Sequence, residues 1–385
     1  MSTDIEEKIG RFESFIQQDP NNANLACELM DLYLASGKHD AAVSLYEQAN
    51  QNLATNAAFL FKASNALLAR GNFEAAIACL KQIKAQGISQ LGVEFNLAFA
   101  YFYHRDFDNA SVSIAQIIEQ WQEHPPIVIL AARIFHFTDR LEDACNYLKD
   151  YLKQHKDDAE AWGLLSLIAL DGDIDSPERQ REYAKAALAI NAEQMEAMLT
   201  LAQLDLGEQN IVGAADITKK AVELHPTSGR AWSYKGQSDM LSLDLVQAEK
   251  SLDQAVKYMP DHIGTWHALA WCALLRDNVD KAEKCFKSAL KLDRNFAESH
   301  GGDALILFLK GNIEEAKTSA RRGVGLDKNC FTARYVQALI LEKEGNIEAA
   351  KSIVEDIMAS DTGNQAKVFI EMLRNNNNEI SPKLH

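Results

Sequence analysis

The sequence has no pair of cysteines spaced as CxxC, no run of 18 apolar residues and only seven prolines in 385 residues. Each of these absences excludes something. The six cysteines, Cys27, Cys79, Cys145, Cys272, Cys285 and Cys330, form neither a zinc framework nor the regular spacing of a disulfide-stapled secreted domain. They read as buried or neutral thiols in a reducing compartment. No stretch is long and apolar enough for a membrane-crossing helix, and the acidic start, MSTDIEEKIGRF, carries no apolar signal region, so a soluble, cytoplasmic protein is expected. Positive charge is also scarce, with 39 Lys and Arg against 55 Asp and Glu and a formal net charge of −16. Non-specific binding to nucleic acid or to an anionic membrane needs clustered cations that displace counterions, so neither is expected and a basic or neutral partner fits better. The motifs GxxxxGKS/T, GxSxG, HExxH and a strand-associated GxGxxG are missing too. A noncatalytic chain without a cofactor is therefore expected.

What is present is one unit, repeated. Gly229 to His262, GRAWSYKGQSDMLSLDLVQAEKSLDQAVKYMPDH, places Trp232, Tyr234, Met240 and Leu241, then Ala248, Leu252, Ala255 and Val256, at helical spacing. Two amphipathic helices result, and Pro260, which has no backbone N–H and biases Met259 away from helical angles, ends the second. Shifting the frame by 34 residues returns the alanine at Ala42, Ala76, Ala110, Ala144, Ala214, Ala282, Ala316 and Ala350. A small residue recurs where two helices cross too closely for a larger one. The frame that begins at Ala159 lacks it: the spacing from Trp162 to Met198 is 36, and the second helix stays in phase through Ala187 and Leu188, which predicts two extra residues in the turn. Ten repeats follow, at 23–56, 57–90, 91–124, 125–158, 159–194, 195–228, 229–262, 263–296, 297–330 and 331–364. Units that contact only their neighbours stack without a size limit, so one elongated solenoid over 23–364 is expected. An amphipathic helix at 4–22, with Ile5, Ile9, Phe12, Phe15 and Ile16 on one face, would cap the first repeat. A second at 365–375, with Val368, Phe369, Met372 and Leu373 inward, would cap the last, ahead of a disordered tail at 376–385.

The turn inside each repeat is short: Gly37-Lys38, Gly71-Asn72, Arg105-Asp106, Asp139-Arg140, Asp277-Asn278, Gly311-Asn312 and Gly345-Asn346. Glycine closes the first helix in the left-handed conformation and Asn caps the next, followed by acids such as Glu74, Glu142, Glu314, Glu315 and Glu348 at the positive helix end. Lys149, Lys153, Lys219, Lys220, Lys287, Lys291, Arg321 and Arg322 fall late in second helices, where they complement the negative end. In the lengthened fifth repeat, Asp171, Asp173, Asp175 and Glu182 echo calcium-loop spacing. Ser176 replaces the glycine such a loop needs, however, and Ser176-Pro177 reads equally as an N-cap and first helical residue. His262, His267, Cys272, Cys285 and His300 cluster in sequence but match no zinc spacing, so no metal site is expected.

Trp232, Gly236, Ala248, Leu252, Ala255 and Pro260 resemble the aromatic, Gly, Ala, Phe-or-Leu, Ala, Pro signature of the tetratricopeptide repeat. The resemblance covers nearly the whole chain. It implies an all-α, right-handed superhelical solenoid of antiparallel helix pairs, with a concave groove lined from the second, fifth, ninth, twelfth and thirteenth places of the first helices. Those places hold Phe61, Asn65 and Leu68 in the second repeat, Phe95, Phe99, Phe102 and Tyr103 in the third, and Arg133, His136 and Phe137 in the fourth. Two readings of these aromatics stay open. They pack between helices, or they form an exposed trough, rimmed by Asn65, Arg133 and His136, that takes aliphatic or aromatic anchors from a partner. A more polar second stretch holds Arg230, Gln237, His267, Trp271, Tyr335 and Glu342. The family's carboxylate clamp is matched at or one place from Lys62, Asn65 and Asn96, but Pro126 and Leu130 stand where its Lys and Arg should be. The implied function is a noncatalytic scaffold, adaptor or co-chaperone that binds a partner peptide or helix in the groove. The alternatives are a peptide- or small-molecule-responsive regulator and a structural subunit of a larger complex that uses its convex surface.

Overall fold

The computed structural model describes residues 2–49 and 53–359. The expected capping helix at 365–375 and the tail at 376–385 lie outside the described residues. Among those described there are 21 α-helices and no strand, and no helix is long and apolar enough to cross a membrane. After α1 (Ser2–Gln18) the helices come in pairs: α2 (Ala23–Ala35) and α3 (His39–Glu47), α4 (Ala57–Ala69) and α5 (Phe73–Ala85), α6 (Leu91–Tyr103) and α7 (Phe107–Ala115), α8 (Pro125–Phe137) and α9 (Leu141–Leu152), α10 (Ala159–Asp171) and α11 (Pro177–Ile190). The pairs continue as α12 (Met195–Gly207) and α13 (Ile211–Leu224), α14 (Gly229–Leu241) and α15 (Leu245–Tyr258), α16 (Ile263–Leu275) and α17 (Val279–Leu292), α18 (Ala297–Leu309) and α19 (Ile313–Leu326), and α20 (Phe331–Lys343) and α21 (Ile347–Ala359). The chain divides into two compact units, Met1–Ala197 and Met198–His385.

In the first unit α1 packs on α2. It lends Ile9 to a core with Ala26, Leu29, Met30, Tyr33 and Phe59, and Ile5, Phe12 and Ile16 lie against that core. Phe15 is the member of the apolar face left exposed. Further along, Leu60, Leu67, Leu80, Val93, Leu97, Ile114, Ile127 and Ile134 form the next cluster. In the second unit Leu252, Leu269, Phe286, Leu305, Tyr335 and Val336 do the same. The recurring alanines Ala42, Ala76, Ala110, Ala144, Ala214, Ala248, Ala282, Ala316 and Ala350 are all 0% exposed. Gly236 shows how close the approach is, since a Cβ there would stand 2.5 Å from Leu252 Cγ.

The turns explain why the helices stop. Each first helix ends in a residue of positive φ: glycine at Gly37, Gly71, Gly311 and Gly345, but Arg105, Asp139, Gln209, Leu243 and Asp277 elsewhere. The amide of the following residue reaches back to the carbonyl five places before the turn residue's successor, as in Asn72 N to Leu67 O at 2.9 Å and Asp244 N to Asp239 O at 2.9 Å. That satisfies the last carbonyls of the helix. The same residue then caps the next helix: Asn72, Asp106, Asn210, Asp244 and Asn278 accept from the amide three places on. One residue thus closes one helix with its amide and begins the next with its side chain.

The fifth repeat places its extra residues between Gly172 and Ser176, with both Asp173 and Asp175 at positive φ. Gln180 occupies the place of the missing alanine. It is buried, and its Nε2 donates to the carbonyls of Ala169 (3.2 Å), Ile174 (3.2 Å) and Asp175 (3.3 Å). The amide braces the longer turn from beneath.

Where one repeat passes to the next, a ring nitrogen holds the link. Trp162 Nε1 donates to Lys156 O (3.0 Å), Trp232 Nε1 to Pro226 O (2.8 Å) and Trp266 Nε1 to Pro260 O (2.7 Å). His300 Nε2 lies 2.8 Å from Arg294 O in the same place of its repeat. The ring that packs the repeat also ties down the linker before it.

Candidate functional site

The aromatic side chains of the first unit form one continuous network. Phe95 packs on Phe99 (ring centroids 6.4 Å apart), Phe99 on Tyr103 (4.5 Å) and Tyr103 on Phe102 (5.2 Å). Phe102 in turn meets Phe107 (5.8 Å) and Phe137 (5.3 Å) edge-on. Two stacked pairs flank this centre, Phe73 on Tyr103 at 5.6 Å and Phe107 on Phe137 at 5.2 Å, one repeat apart. Phe73 and Phe107 are the first residues of α5 and α7, while Tyr103 and Phe137 are the last of α6 and α8. The network therefore runs along the helix ends that meet at the turns inside the repeats.

Burial separates its members. Phe61, Phe95 and Phe99 are half-buried, Phe102 is buried, and Tyr103 and Phe137 are 49% and 56% exposed. The two readings left open by the sequence thus apply to different residues: Phe102 packs, and Tyr103 and Phe137 present their rings. Phe61 lies over Gly92, where a Cβ would come within 2.9 Å of the ring. Phe73 and Phe107 do not stand at groove places and are missed by a reading confined to them. Their spacing of 34, equal to that of Tyr103 and Phe137, is the signal that could have found them.

The polar groups at the groove places are engaged with one another. Asn96 Nδ2 donates to Asn65 Oδ1 at 2.7 Å, and Lys62 pairs with Asp31 at 2.8 Å, so all three members of the partial carboxylate clamp already have partners. Arg133 reaches across two helices, to Glu160 on α10 (3.2 Å) and to Glu196 on the first turn of α12 (2.7 Å). Burial works against the guanidinium charge, but Glu196 and Glu160 outweigh it and raise its pKa above the ordinary value. Glu196 is 5% exposed and also accepts from Gln194 Nε2 at 2.7 Å. Gln194 lies so close to Gly163 that a Cβ there would fall 2.1 Å from its amide. His136 Nε2 stands 3.0 Å from Asp171. Asn65, Arg133 and His136 are therefore braces between neighbouring first helices.

The second polar stretch is similarly occupied. Arg230 Nε donates to Tyr234 Oη at 2.8 Å and Gln237 Nε2 to Ser233 Oγ at 3.3 Å. His267 Nε2 is 2.8 Å from the buried Ser299 Oγ, between the edges of Phe286 and Phe296, and burial lowers its pKa from 6.5 to about 4. Trp271 packs edge-on to Phe286 at 5.3 Å. Tyr335 is fully buried and offers no surface to a partner. Glu342 is half-buried.

The places considered for metals are also committed. Asp175 is held by Lys149 (2.7 Å) and Tyr183 Oη (3.2 Å), which pull its pKa below the usual carboxylate range. The carbonyls of Ile174 and Asp175 face Gln180. Among the described residues no three His, Cys, Asp or Glu side chains are arranged to hold a metal ion. All six thiols are free, and burial pushes Cys145, Cys272 and Cys285 up to about 11, as inert as packed core. A cavity of about 420 Å³ lies beside Tyr147, Tyr151 and His155, away from the rings.

The tetratricopeptide-repeat profile matches residues 33–87, 101–168 and 242–305. No curated protein matches the sequence. Among solved structures, a monomeric mutant of IFIT1 with Gppp-AAAA is 14% identical, with 92% of this chain and 90% of that one covered and a TM-score of 0.57. The human IFIT1 dimer with m7Gppp-AAAA is 14% identical over 88% and 90%, at 0.56. The hetero-tetramer Cut9–Hcn1 of APC/C is 13% identical over 97% and 94%, at 0.48. At such identities the likeness is one of fold. The profile match, with the periodic alanines, turns and helix pairs, gives one conclusion: the chain is a tetratricopeptide-repeat protein.

Proposed function

We propose that this chain is a noncatalytic adaptor that receives a segment of another protein on the aromatic ridge of its first unit. The family is one of protein-interaction scaffolds, and adaptor and co-chaperone work are both compatible with such a surface. The observation that carries the reading is the exposure of Tyr103 and Phe137, 49% and 56%, within a ring network whose other members are buried or half-buried. Aromatic residues held rigid by their neighbours lose little entropy on binding and supply large contact areas. The partner would bury apolar side chains against Tyr103, Phe137, Phe73 and Phe107, with Phe95, Phe99 and Phe61 extending the surface. The Asn65, Arg133 and His136 braces would hold the scaffold rather than touch the partner.

The neighbours that carry capped oligonucleotides do not favour the same use here. A net charge of −16, with Lys62 and Arg133 both paired to acids in the groove, leaves little to neutralise phosphates.

The test replaces Tyr103 and Phe137 together by serine and uses circular dichroism to confirm that the helices survive. A photo-crosslinking residue is then placed at Asp108, beside the rings. Partners crosslinked to the unaltered ridge and lost from the serine variant support the reading. Partners captured equally by both would move recognition to the convex surface or to the second unit.

A further inference from the structure

The groups around the rings also bear on the partner's charge. Phe73, Phe107 and Leu141 open α5, α7 and α9, and beside them stand Glu74, Asp108 and Glu142. Asp139 lies in the turn that follows Phe137. These four carboxylates are exposed and form no ion pair among the described residues. The cations of the same edge are engaged instead. Arg140 is held by Asp143 at 2.8 Å and lies 4.3 Å over the Phe135 ring, and Arg105 is likewise not free. Asp106 caps α7. Some acids elsewhere are paired: Asp40 with Arg70, Glu283 with Lys287 and Lys310, and Glu344 with Lys317. The edge that presents the rings presents exposed carboxylates beside them, without ion pairs among the described residues.

Resting on the adaptor reading above, we infer that the partner is a basic segment. Two apolar anchors cover Tyr103 and Phe137, and flanking Lys or Arg residues meet Glu74, Asp108, Asp139 and Glu142. Tyr103 and Phe137 both stand edge-on to Phe102, at 5.2 and 5.3 Å, so the anchors are separated by one to two helical turns, about 5–11 Å. An acidic segment would bring like charge to the exposed carboxylates that flank the rings. A neutral one would desolvate them without return. The charge term sets the encounter and the choice of partner, and the rings supply the contact area.

The experiment pans a random peptide library displayed on phage against the full chain, against the Tyr103→Ser/Phe137→Ser variant, and against Glu74→Gln/Asp108→Asn/Asp139→Asn/Glu142→Gln. The last leaves every ring in place. Peptides enriched on the full chain are expected to carry net positive charge around two apolar residues. Their affinity, read by fluorescence anisotropy, is expected to fall about tenfold in the carboxamide variant and in high salt. Enriched peptides that need both rings but are neutral or acidic, or that bind the carboxamide variant equally well, overturn the basic-partner inference and leave the ridge as the site. Enrichment indifferent to Tyr103 and Phe137, or no enrichment over bare support, overturns both.

Discussion

Replacing Arg133 by methionine would take the cation from between Glu160 and Glu196 while keeping most of its volume. Glu196 is the costly residue to abandon, being 5% exposed, although it still accepts from the Gln194 amide at 2.7 Å. Breaking a buried pair by removing one partner costs about 3–5 kcal/mol, and the remaining amide places this case at the low end. Glu160, whose side chain is 56% exposed, adds at most about 1 kcal/mol. A repeat array opens locally rather than as one body, so a single unfolding midpoint would blur the effect. Amide hydrogen exchange in α8, α10 and the first turn of α12 reads it directly. About 3 kcal/mol is roughly a 150-fold loss of protection, expected there and not in α2 to α5. Arg133→Met combined with Glu196→Gln should regain most of the loss, because no buried charge is left behind. A single variant that loses less than about fivefold, or a double variant no better than the single, would refute the view of Arg133 as a strut.

Leu243 sits at φ 59° with its side chain 69% exposed, so it bears backbone strain without packing in return. Leu243→Gly should gain about 0.5–1 kcal/mol, seen as a higher midpoint for the second unit, and a lower midpoint would contradict the argument. His267, lowered from 6.5 to about 4 by burial, is neutral in the fold. Its contribution is intact above pH 6.5 and declines as pH falls from there toward 4, by up to about 3 kcal/mol. His267→Gln should flatten that part of the pH-stability profile, and an unchanged profile would place the titration elsewhere. A single-stranded RNA oligonucleotide at physiological salt should give no anisotropy change up to about 100 µM chain, since a chain of net charge −16 repels its phosphates. Salt-dependent saturation would overturn the charge argument.

The repeat was legible because its physics is periodic. Helices that approach within a methyl group demand Ala42 and its successors at one register, and the two-residue slip after Leu170 appears as a break in that register. The turns could be read where glycine closes them, but not at Leu243 or Gln209. There the tertiary packing of two helices forces a left-handed residue that propensity would not choose. The candidate site was only half visible. Residue type placed Phe95, Phe99, Phe102, Tyr103 and Phe137 together, yet which ring is buried depends on Phe73 and Phe107, which arrive from second helices. For Arg133, sequence could not show that two glutamates 27 and 63 residues away converge on it. Polar residues on a helix face look free until the neighbouring helices are in place.

The indole links between repeats have a spectroscopic consequence. Three of the five tryptophans in the chain, Trp162, Trp232 and Trp266, donate to the carbonyl six residues earlier and so watch the joints rather than the core. Intrinsic emission from this protein is weighted toward those joints. A red shift that precedes the loss of helical ellipticity would report linkers parting while the helices on either side remain wound, and single Trp→Phe replacements would assign the signal joint by joint without any added label.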